Sequence, residues 1–171
     1  RIGDWRGYRA DMTVDRSAIR VKAMLIAPND DRTAHAVSLN PTMRALDVGG
    51  GTGRLSILLS DRVGSVVVTD PSAGMVQVAQ ERIEAAGLGD RLRAVRADLT
   101  TDSLDGTYDV AWSSMALHHV QDLDALLRSL ADLLVTAGHL AIADLDEDPE
   151  GAFHAEKIDF EDPVDDAVFG R

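Results

Sequence analysis

The stretch Leu-Asp-Val-Gly-Gly-Gly-Thr-Gly-Arg-Leu, residues 46–55, decides the fold of this chain. It starts inside a short apolar run and ends inside a segment with helical spacing, so it marks a turn between a strand and a helix. Glycines at such a turn let the backbone bend sharply and let a ligand approach where a Cβ would otherwise stand. The free N–H groups at the start of the helix then face that ligand. The stretch therefore predicts a strand–turn–helix unit with a ligand at the turn.

Short apolar runs of strand length recur around this turn, at residues 43–48, 65–69, 92–97, 109–113 and 139–145. The second and the last are almost continuously apolar, which is typical of strands buried on both faces of a parallel sheet. Helical spacing separates the runs, in one segment from Gly53, one from an N-cap at Ser72 to Ala86, and one from Asp122 to Ala137. This alternation predicts an α/β fold with a doubly wound, mostly parallel sheet.

The N-terminal part of the chain follows a different pattern. Residues 13–27 predict a helix that ends before Pro28, and residues 29–31 predict the cap of a second helix that reaches Leu39. We expect residues 1–41 to form a helical appendage or lid, residues 42–150 to form the α/β core, and residues 151–171 to form an acidic tail. We also expect both ends of the chain to be truncations.

Composition narrows the class of partner. The 171 residues carry a formal net charge of −12. Nucleic acids and anionic membrane surfaces require clustered positive charge, so neither is an expected partner. No apolar stretch is long enough to span a bilayer. The chain has no cysteine, which excludes disulfides and thiolate sites and fits the cytoplasmic location that we expect.

Two classes of cofactor use a glycine turn of this kind. A dinucleotide site requires G-x-G-x-x-G/A, and here the third position is Arg54 or Ser56, depending on the glycine from which the count starts. An NAD(P)-dependent oxidoreductase is therefore an alternative interpretation. It also predicts a hydride-transfer set such as Tyr-x-x-x-Lys, which is missing because the only lysines are Lys22 and Lys157. A Walker loop is excluded because no G-K-[ST] follows.

The pattern that is present is Asp-x-Gly-x-Gly-x-Gly, residues 47–53. It resembles the first motif of the class I S-adenosylmethionine-dependent methyltransferases. Asp70 ends the second apolar run about 20 residues past the glycine loop, where a carboxylate can accept hydrogen bonds from a ribose diol. A helix cap is the structural alternative for Asp70, and a ribose carboxylate alone does not separate an adenosyl cofactor from NAD.

Two later segments extend the resemblance. The pair Asp98-Leu99 follows the third run, and in this family such an Asp accepts a hydrogen bond from the adenine amino group. Met75 flanks the adenine in the same picture, with plain helix packing as the alternative. Residues 108–120, Tyr-Asp-Val-Ala-Trp-Ser-Ser-Met-Ala-Leu-His-His-Val, resemble the fourth-strand motif of small-molecule methyltransferases, including those of quinone biosynthesis. This places Ser113 beside the methionine arm of the cofactor.

The resemblance implies a Rossmann-like class I methyltransferase fold and S-adenosylmethionine as cofactor. It implies an enzyme that moves a methyl group from the sulfonium to a small-molecule acceptor by in-line displacement, with a catalytically inactive adenosyl-binding module as a further alternative. The implied cofactor-binding residues are Asp47, Gly49, Gly50, Gly51, Gly53, Asp70, Met75, Asp98, Leu99 and Ser113.

The sequence identifies no catalytic residue, no metal site and no oligomeric state. His118 and His119 are candidates for a general base, because histidine titrates near neutral pH, and structural packing is the alternative for both. The acidic run that begins at Asp144 predicts a solvated loop rather than a cation site. Only 21 residues follow Glu150, too few for the last helix and antiparallel strand pair of the family. We therefore expect those strands to be absent and the tail to belong to a truncated acceptor region.

Overall fold

A computed structural model describes residues 37–144 and, for its backbone alone, the strand of residues 19–25. Within these residues six strands form one sheet in the order β1-β6-β5-β2-β3-β4, and all neighbouring strands are parallel. The strands are β1 Ile19–Leu25, β2 Arg44–Val48, β3 Ser65–Asp70, β4 Leu92–Arg96, β5 Tyr108–Ser114 and β6 Leu134–Asp144. The predicted α/β, doubly wound, parallel sheet is confirmed.

The described part of the chain has three α-helices, which are α1 Arg54–Leu59, α2 Ala73–Ala85 and α3 Leu123–Leu133. The Ser72 hydroxyl accepts the N–H of Met75 at the start of α2, as its predicted N-cap role requires. The Asp122 carboxylate caps the start of α3 in the same way. None of these helices is both long and apolar enough to cross a bilayer.

Each face of the sheet carries its own buried cluster. On one face the leucine stripe of α3, including Leu126 and Leu130, packs on Leu46 of β2 and Leu140 of β6. On the other face Ile83 of α2 belongs to a cluster with β-sheet residues, of which the largest is Trp112. Because both faces are covered, the central strands are apolar along most of their length, and polar groups are left to collect at the strand ends.

The predicted N-terminal helix over residues 13–27 is wrong where the structure describes it. Residues 19–25 form β1, which pairs in parallel with β6 from Ile19 opposite Gly138 to Leu25 opposite Asp144. The sequence Ile-Arg-Val-Lys-Ala alternates apolar and charged residues with a strand period, and β6 offers an edge with which it can pair. Of the second predicted helix, residues 37–39 are not helical and the rest lies outside the described residues.

The helix predicted to end at Ala137 ends instead at Leu133, and β6 begins at once. The residues that follow include the β-branched Val135 and Thr136, which favour extended backbone. Ala137 has a φ of 63°, and the register between β5 and β6 shifts in this region. The tail, residues 151–171, and any strands after β6 lie outside the described residues.

Candidate functional site

The candidate site lies at the carboxyl edge of the sheet, between β2 and β5. The chain passes from β2 to β3 and β4 on one side, and then returns to place β5 and β6 on the other side of β2. The loops after β2 and β5 therefore diverge above the sheet, and this switch point is where open α/β sheets bind ligands. The glycine loop follows β2, and the serine and histidine segment follows β5.

The three glycines at positions 49, 51 and 53 share a backbone conformation but serve two different purposes. Gly49, Gly51 and Gly53 all have positive φ angles, of 64°, 52° and 73°, which side chains rarely adopt. A Cβ on Gly49 would lie 2.5 Å from the Cβ of Ala116, and one on Gly53 would lie 3.3 Å from the Cβ of Ala79. A Cβ on Gly51 would meet no described atom within 4 Å. Gly49 and Gly53 therefore permit close packing, whereas Gly51 faces open space in which a ligand can lie.

Hydrogen bonds hold the shape of this loop. The N–H of Gly50 donates to the carbonyl of Thr69 on β3 at 2.9 Å, and the N–H of Gly53 donates to the carbonyl of Gly50 at 2.9 Å. The Arg82 guanidinium on α2 donates to the Thr52 hydroxyl at 2.7 Å. The loop is therefore tied to the next strand and the next helix and has its shape before any ligand arrives.

Asp70 closes the loop from the end of β3. One carboxylate oxygen, Oδ2, accepts the N–H of Gly51 at 3.0 Å, and the other, Oδ1, accepts the N–H of Ser72 at 2.9 Å. The residue is only half-buried, and each oxygen has a second lone pair. Asp70 therefore fixes the residue that caps α2, Ser72, without being the cap itself, and it remains a carboxylate able to accept from a ligand beside Gly51.

Asp47 supports the loop from below rather than facing the crevice. It is buried, its Oδ2 accepts the Ser56 hydroxyl at 2.6 Å, and a Cβ on Gly50 would come within 2.8 Å of that oxygen. Burial raises the pKa of Asp47 from 3.8 to about 6, against the opposing effect of the Ser56 hydroxyl. The indole N–H of Trp112, across the β2–β5 pair, also lowers this pKa although it lies outside strict hydrogen-bond geometry.

The residues predicted to hold the adenine lie beside Asp70. The N–H of Ala97 donates to the Asp70 carbonyl at 3.1 Å, so Asp98 follows directly next to it at the same sheet edge. Asp98 is exposed, and its Oδ1 accepts both the N–H and the hydroxyl of Thr100. Leu99 is buried in the core, and Met75 is half-buried in the first turn of α2. An adenine-binding role for these residues stays a prediction.

On the opposite side of the switch point, Ser113 binds the protein itself. It is buried, and its hydroxyl donates to the Val48 carbonyl at 2.9 Å, which joins the ends of β5 and β2. Met115 then turns the chain with a φ of 57°, and its N–H donates to the Ala143 carbonyl at 2.8 Å. Backbone in this sparsely populated region often accompanies functional sites. The turn brings Ala116 against Gly49.

The structure pairs His118 with a carboxylate that the sequence did not associate with it. The Nδ1 atom of His118 lies 2.6 Å from Oδ1 of Asp144, at the end of β6. Asp144 is 2% exposed, and its Oδ2 accepts the N–H groups of Leu117 and His118 at 2.7 and 3.3 Å. His119 is exposed, with its ring centroid 4.0 Å from that of His118.

The pairing corrects our interpretation of Asp144 as the start of a solvated loop, since its carboxylate is buried. The available signal was its position, because an acidic residue that ends a strand next to β5 must lie near the loop that follows β5. The described residues hold no group of three or more metal-ligating side chains. Asp146 and Asp148 of the acidic run lie outside them.

Comparisons with known proteins point to one family. A family model described as a methyltransferase domain matches residues 45–138, from β2 to the start of β6. The chain is 34% identical over 130 residues to the ubiquinone/menaquinone biosynthesis C-methyltransferase UbiE of Stenotrophomonas maltophilia, which covers 70% of this chain and 51% of the relative. It is 29% identical over 139 residues to the demethylmenaquinone methyltransferase of Bacteroides fragilis, covering 70% and 57%.

A solved structure has the same fold. The YcgJ protein of Bacillus subtilis aligns with a TM-score of 0.61 at 23% identity, over 64% of this chain and 47% of that one. The likeness at this identity concerns the fold alone. The chain spans about half the length of the curated relatives it matches.

Proposed function

The chain belongs to the class I S-adenosylmethionine-dependent methyltransferases, and from this membership we propose that it transfers a methyl group from S-adenosylmethionine to a small-molecule acceptor. The observation that carries the proposal is the pairing of Asp70 with Gly51. This pairing sets a half-buried carboxylate beside a glycine whose outer face is open. The names of the relatives support a small organic acceptor, since two of them act in quinone biosynthesis.

The residues at the crevice fit an adenosyl cofactor. Asp70 keeps lone pairs that can accept from the two ribose hydroxyls, and Asp98 stands beside it at the same sheet edge for a donor on the base. The open face of Gly51 leaves room for the sugar, where a side chain would obstruct it. Half-buried Met75 offers an apolar surface near Asp70.

S-adenosylmethionine supplies a methyl group on a sulfonium, which has a neutral and therefore good leaving group. The chain has to bind and orient the partners and exclude water, because alignment of the nucleophile behind the methyl carbon is the main requirement of the reaction. The glycine loop, tied to β3 and α2, provides a fixed position for one partner. The segment after β5 lies against it through Ala116 and Gly49 and provides the opposite wall.

Several finer statements belong to the same proposal. The net charge of −12 supports a small molecule rather than a nucleic acid as acceptor. We propose a cytoplasmic location and no membrane partner. We also keep the division into an N-terminal segment 1–41, a core 42–150 and a tail 151–171 that contributes to the acceptor region. The inactive adenosyl-binding module differs from this proposal only in catalysis, so labelled methyl transfer separates them.

Calorimetric titration of the full chain with S-adenosylhomocysteine tests the cofactor assignment. We expect Asp70→Asn to weaken binding by about 10- to 100-fold, the loss expected for hydrogen bonds to an ionised group. Asp61→Asn is the matched control. The Asp61 side chain is 94% exposed and pairs with Arg91, away from the carboxyl ends of the strands where the crevice lies. Unchanged affinity in Asp70→Asn, or binding of NAD but not of the adenosyl compound, would contradict the proposal.

A further inference from the structure

Of the two adjacent histidines, His118 has the geometry of a general base. This inference rests on the proposed methyl transfer. We propose that His118 is the general base of the reaction, that Asp144 positions it, and that the acceptor reacts through a hydroxyl group that must lose its proton. The inference starts from the contact between Nδ1 of His118 and Oδ1 of the buried Asp144, at 2.6 Å.

Asp144 determines which nitrogen of His118 carries the proton. A carboxylate only accepts hydrogen bonds, so Nδ1 must hold its proton and donate it to Asp144. In the neutral ring Nε2 is then the unprotonated nitrogen with a free lone pair. Among the described residues Nε2 has no hydrogen-bond partner, and the side chain of His118 is 15% exposed. Asp144 therefore orients the ring through Nδ1, and Nε2 is the nitrogen left to take up a proton.

The carboxylate itself is held in place. Its second oxygen accepts the N–H groups of Leu117 and His118, so Asp144 binds both the backbone and the ring of the segment that it orients. The adjacent Ala143 carbonyl accepts the N–H of Met115, which extends the attachment of this segment along β6. Asp144 is therefore bound through both of its oxygens and is only 2% exposed, so it is fixed more firmly than a carboxylate in a solvent-exposed ion pair. This is the arrangement expected of an orienting group.

The position of the pair relative to the cofactor crevice follows from the chain path. Ala116 contacts Gly49 of the glycine loop, and His118 lies two residues later in a short 3₁₀ helix, Leu117–His119. The segment that carries His118 therefore forms the wall of the crevice opposite Asp70, which is the side left for an acceptor when the cofactor lies over Gly51. The titratable groups of the described residues that face His118 are Asp144 and the neighbouring ring of His119.

The chemistry of a base at this position defines the acceptor class. A hydroxyl group becomes a strong nucleophile only when its proton leaves, whereas a neutral aromatic amine or a thioether attacks without losing one first. In the step we propose, the O–H bond breaks and the proton passes to Nε2 of His118. The electron pair on oxygen forms the bond to the methyl carbon. If the acceptor is aromatic and attacks through a conjugated ring carbon instead, the hydrogen on that carbon then leaves as a proton to solvent, which restores the aromatic ring. The carbon–sulfur bond breaks and its electron pair returns to sulfur.

Nitrogen-15 NMR of the histidine rings in the full chain tests the geometry without any acceptor. We expect neutral His118 to carry its proton on Nδ1, and Asp144→Asn to lose this tautomer preference. His139 pairs with Val110 in the middle of β6, away from the carboxyl end where Asp144 lies. The variant His139→Gln identifies the signal of His139 and should leave the His118 signals unchanged. A proton on Nε2 in the wild-type chain would overturn the assignment.

Transfer of a radiolabelled methyl group tests the function. The probes are 1,4-dihydroxynaphthalene kept reduced, N-methylaniline and thioanisole, of which only the first needs a base. We expect transfer to the dihydroxynaphthalene, a loss of kcat of about 100-fold or more in His118→Gln with KM little changed, and a smaller loss in Asp144→Asn. His139→Gln should behave as the wild type.

The outcomes separate this inference from the proposed function. A chain that does not bind S-adenosylhomocysteine contradicts the proposed function itself. A chain that binds it but methylates only N-methylaniline or thioanisole, or methylates none of the probes, overturns the acceptor class. Full activity of His118→Gln on the dihydroxynaphthalene overturns the role of His118, even though the cofactor site stands.

Discussion

The two sides of the crevice use carboxylates in different ways. On the glycine-loop side, which comprises β2, its loop and β3, Asp47 bonds Ser56 nine residues later. Asp70 bonds Ser72 two residues later and Gly51 of the glycine loop 19 residues earlier. On the histidine side, which comprises β5, the segment after it and β6, Asp144 bonds His118 from 26 residues away. The first set joins the glycine turn to the helix and the strand that follow it directly in the chain. The second exists only because β5 and β6 are neighbours in register.

The comparison shows why one side was visible in the sequence and the other was not. A glycine turn has few sequence solutions, since φ angles above zero and close backbone packing both exclude most side chains. A histidine in the segment after one strand and an aspartate at the end of another strand have no fixed spacing, because the helix between them varies in length. Two sites that both depend on a carboxylate can therefore differ widely in how easily the sequence predicts them.

The largest effect is expected where the two sides touch. Gly49→Ala puts a Cβ 2.5 Å from that of Ala116 and forces alanine into a φ of 64°. We expect the free energy of unfolding in urea to fall by about 2–5 kcal/mol, from left-handed backbone strain and overpacking together. Gly51→Ala carries the strain without the clash, so it should cost only about 1–2 kcal/mol. Equal losses would show that the contact between the two sides is unimportant.

The two glycine variants also sharpen the division of roles within the loop. Because Gly51 faces open space beside Asp70, an added methyl group should weaken binding of S-adenosylhomocysteine more than it weakens the fold. If calorimetry finds the affinity of Gly51→Ala unchanged, the ligand does not lie over this residue.

The next effect concerns the carboxylate under the glycine loop. The folded chain holds a proton on Asp47 up to about pH 6, whereas the unfolded chain releases it near 3.8. Between these values the native state binds more protons, so the free energy of unfolding falls as pH rises, by about 3 kcal/mol in all. Asp47→Asn does not titrate. Its stability relative to the wild type should therefore increase between pH 4 and pH 7 and stay level above that range.

Denaturant titrations of both proteins at several pH values measure this difference. Ser56→Ala is an informative companion, because the Ser56 hydroxyl lowers the pKa of Asp47 and its removal should move the transition to higher pH. A stability difference that is constant with pH would contradict a raised pKa at Asp47.

The smallest effect is expected at the serine that joins the two sides. Ser113→Ala removes a buried hydrogen bond to the Val48 carbonyl and should cost about 1 kcal/mol of stability. Because the hydroxyl already binds the protein, affinity for S-adenosylhomocysteine should change by less than about threefold. A tenfold loss of affinity at unchanged stability would instead place Ser113 in contact with the cofactor, as the sequence resemblance implies.

Most of the central fold could be predicted because its signals are local. The apolar runs of β3 and β4, the Ser72 cap of α2 and the glycine turn each depend on residues close together in the chain. The errors occur where a distant partner decides the outcome. Residues 19–25 form a strand because the edge of β6 is available, and α3 stops at Leu133 because the next residues join the sheet.

The sequence by itself determined the strand–turn–helix unit and the carboxylate at the end of β3, since glycine geometry and strand alternation leave their marks in consecutive residues. The class of cofactor was indicated only by the resemblance of its motifs to a known family. Only the tertiary structure decided that Asp47 and Ser113 face the protein, and that Asp144 rather than solvent meets His118. The physical reason is that a carboxylate or hydroxyl acts on whatever lies within 3 Å of it. In a parallel sheet, those neighbours come from strands far apart in the chain.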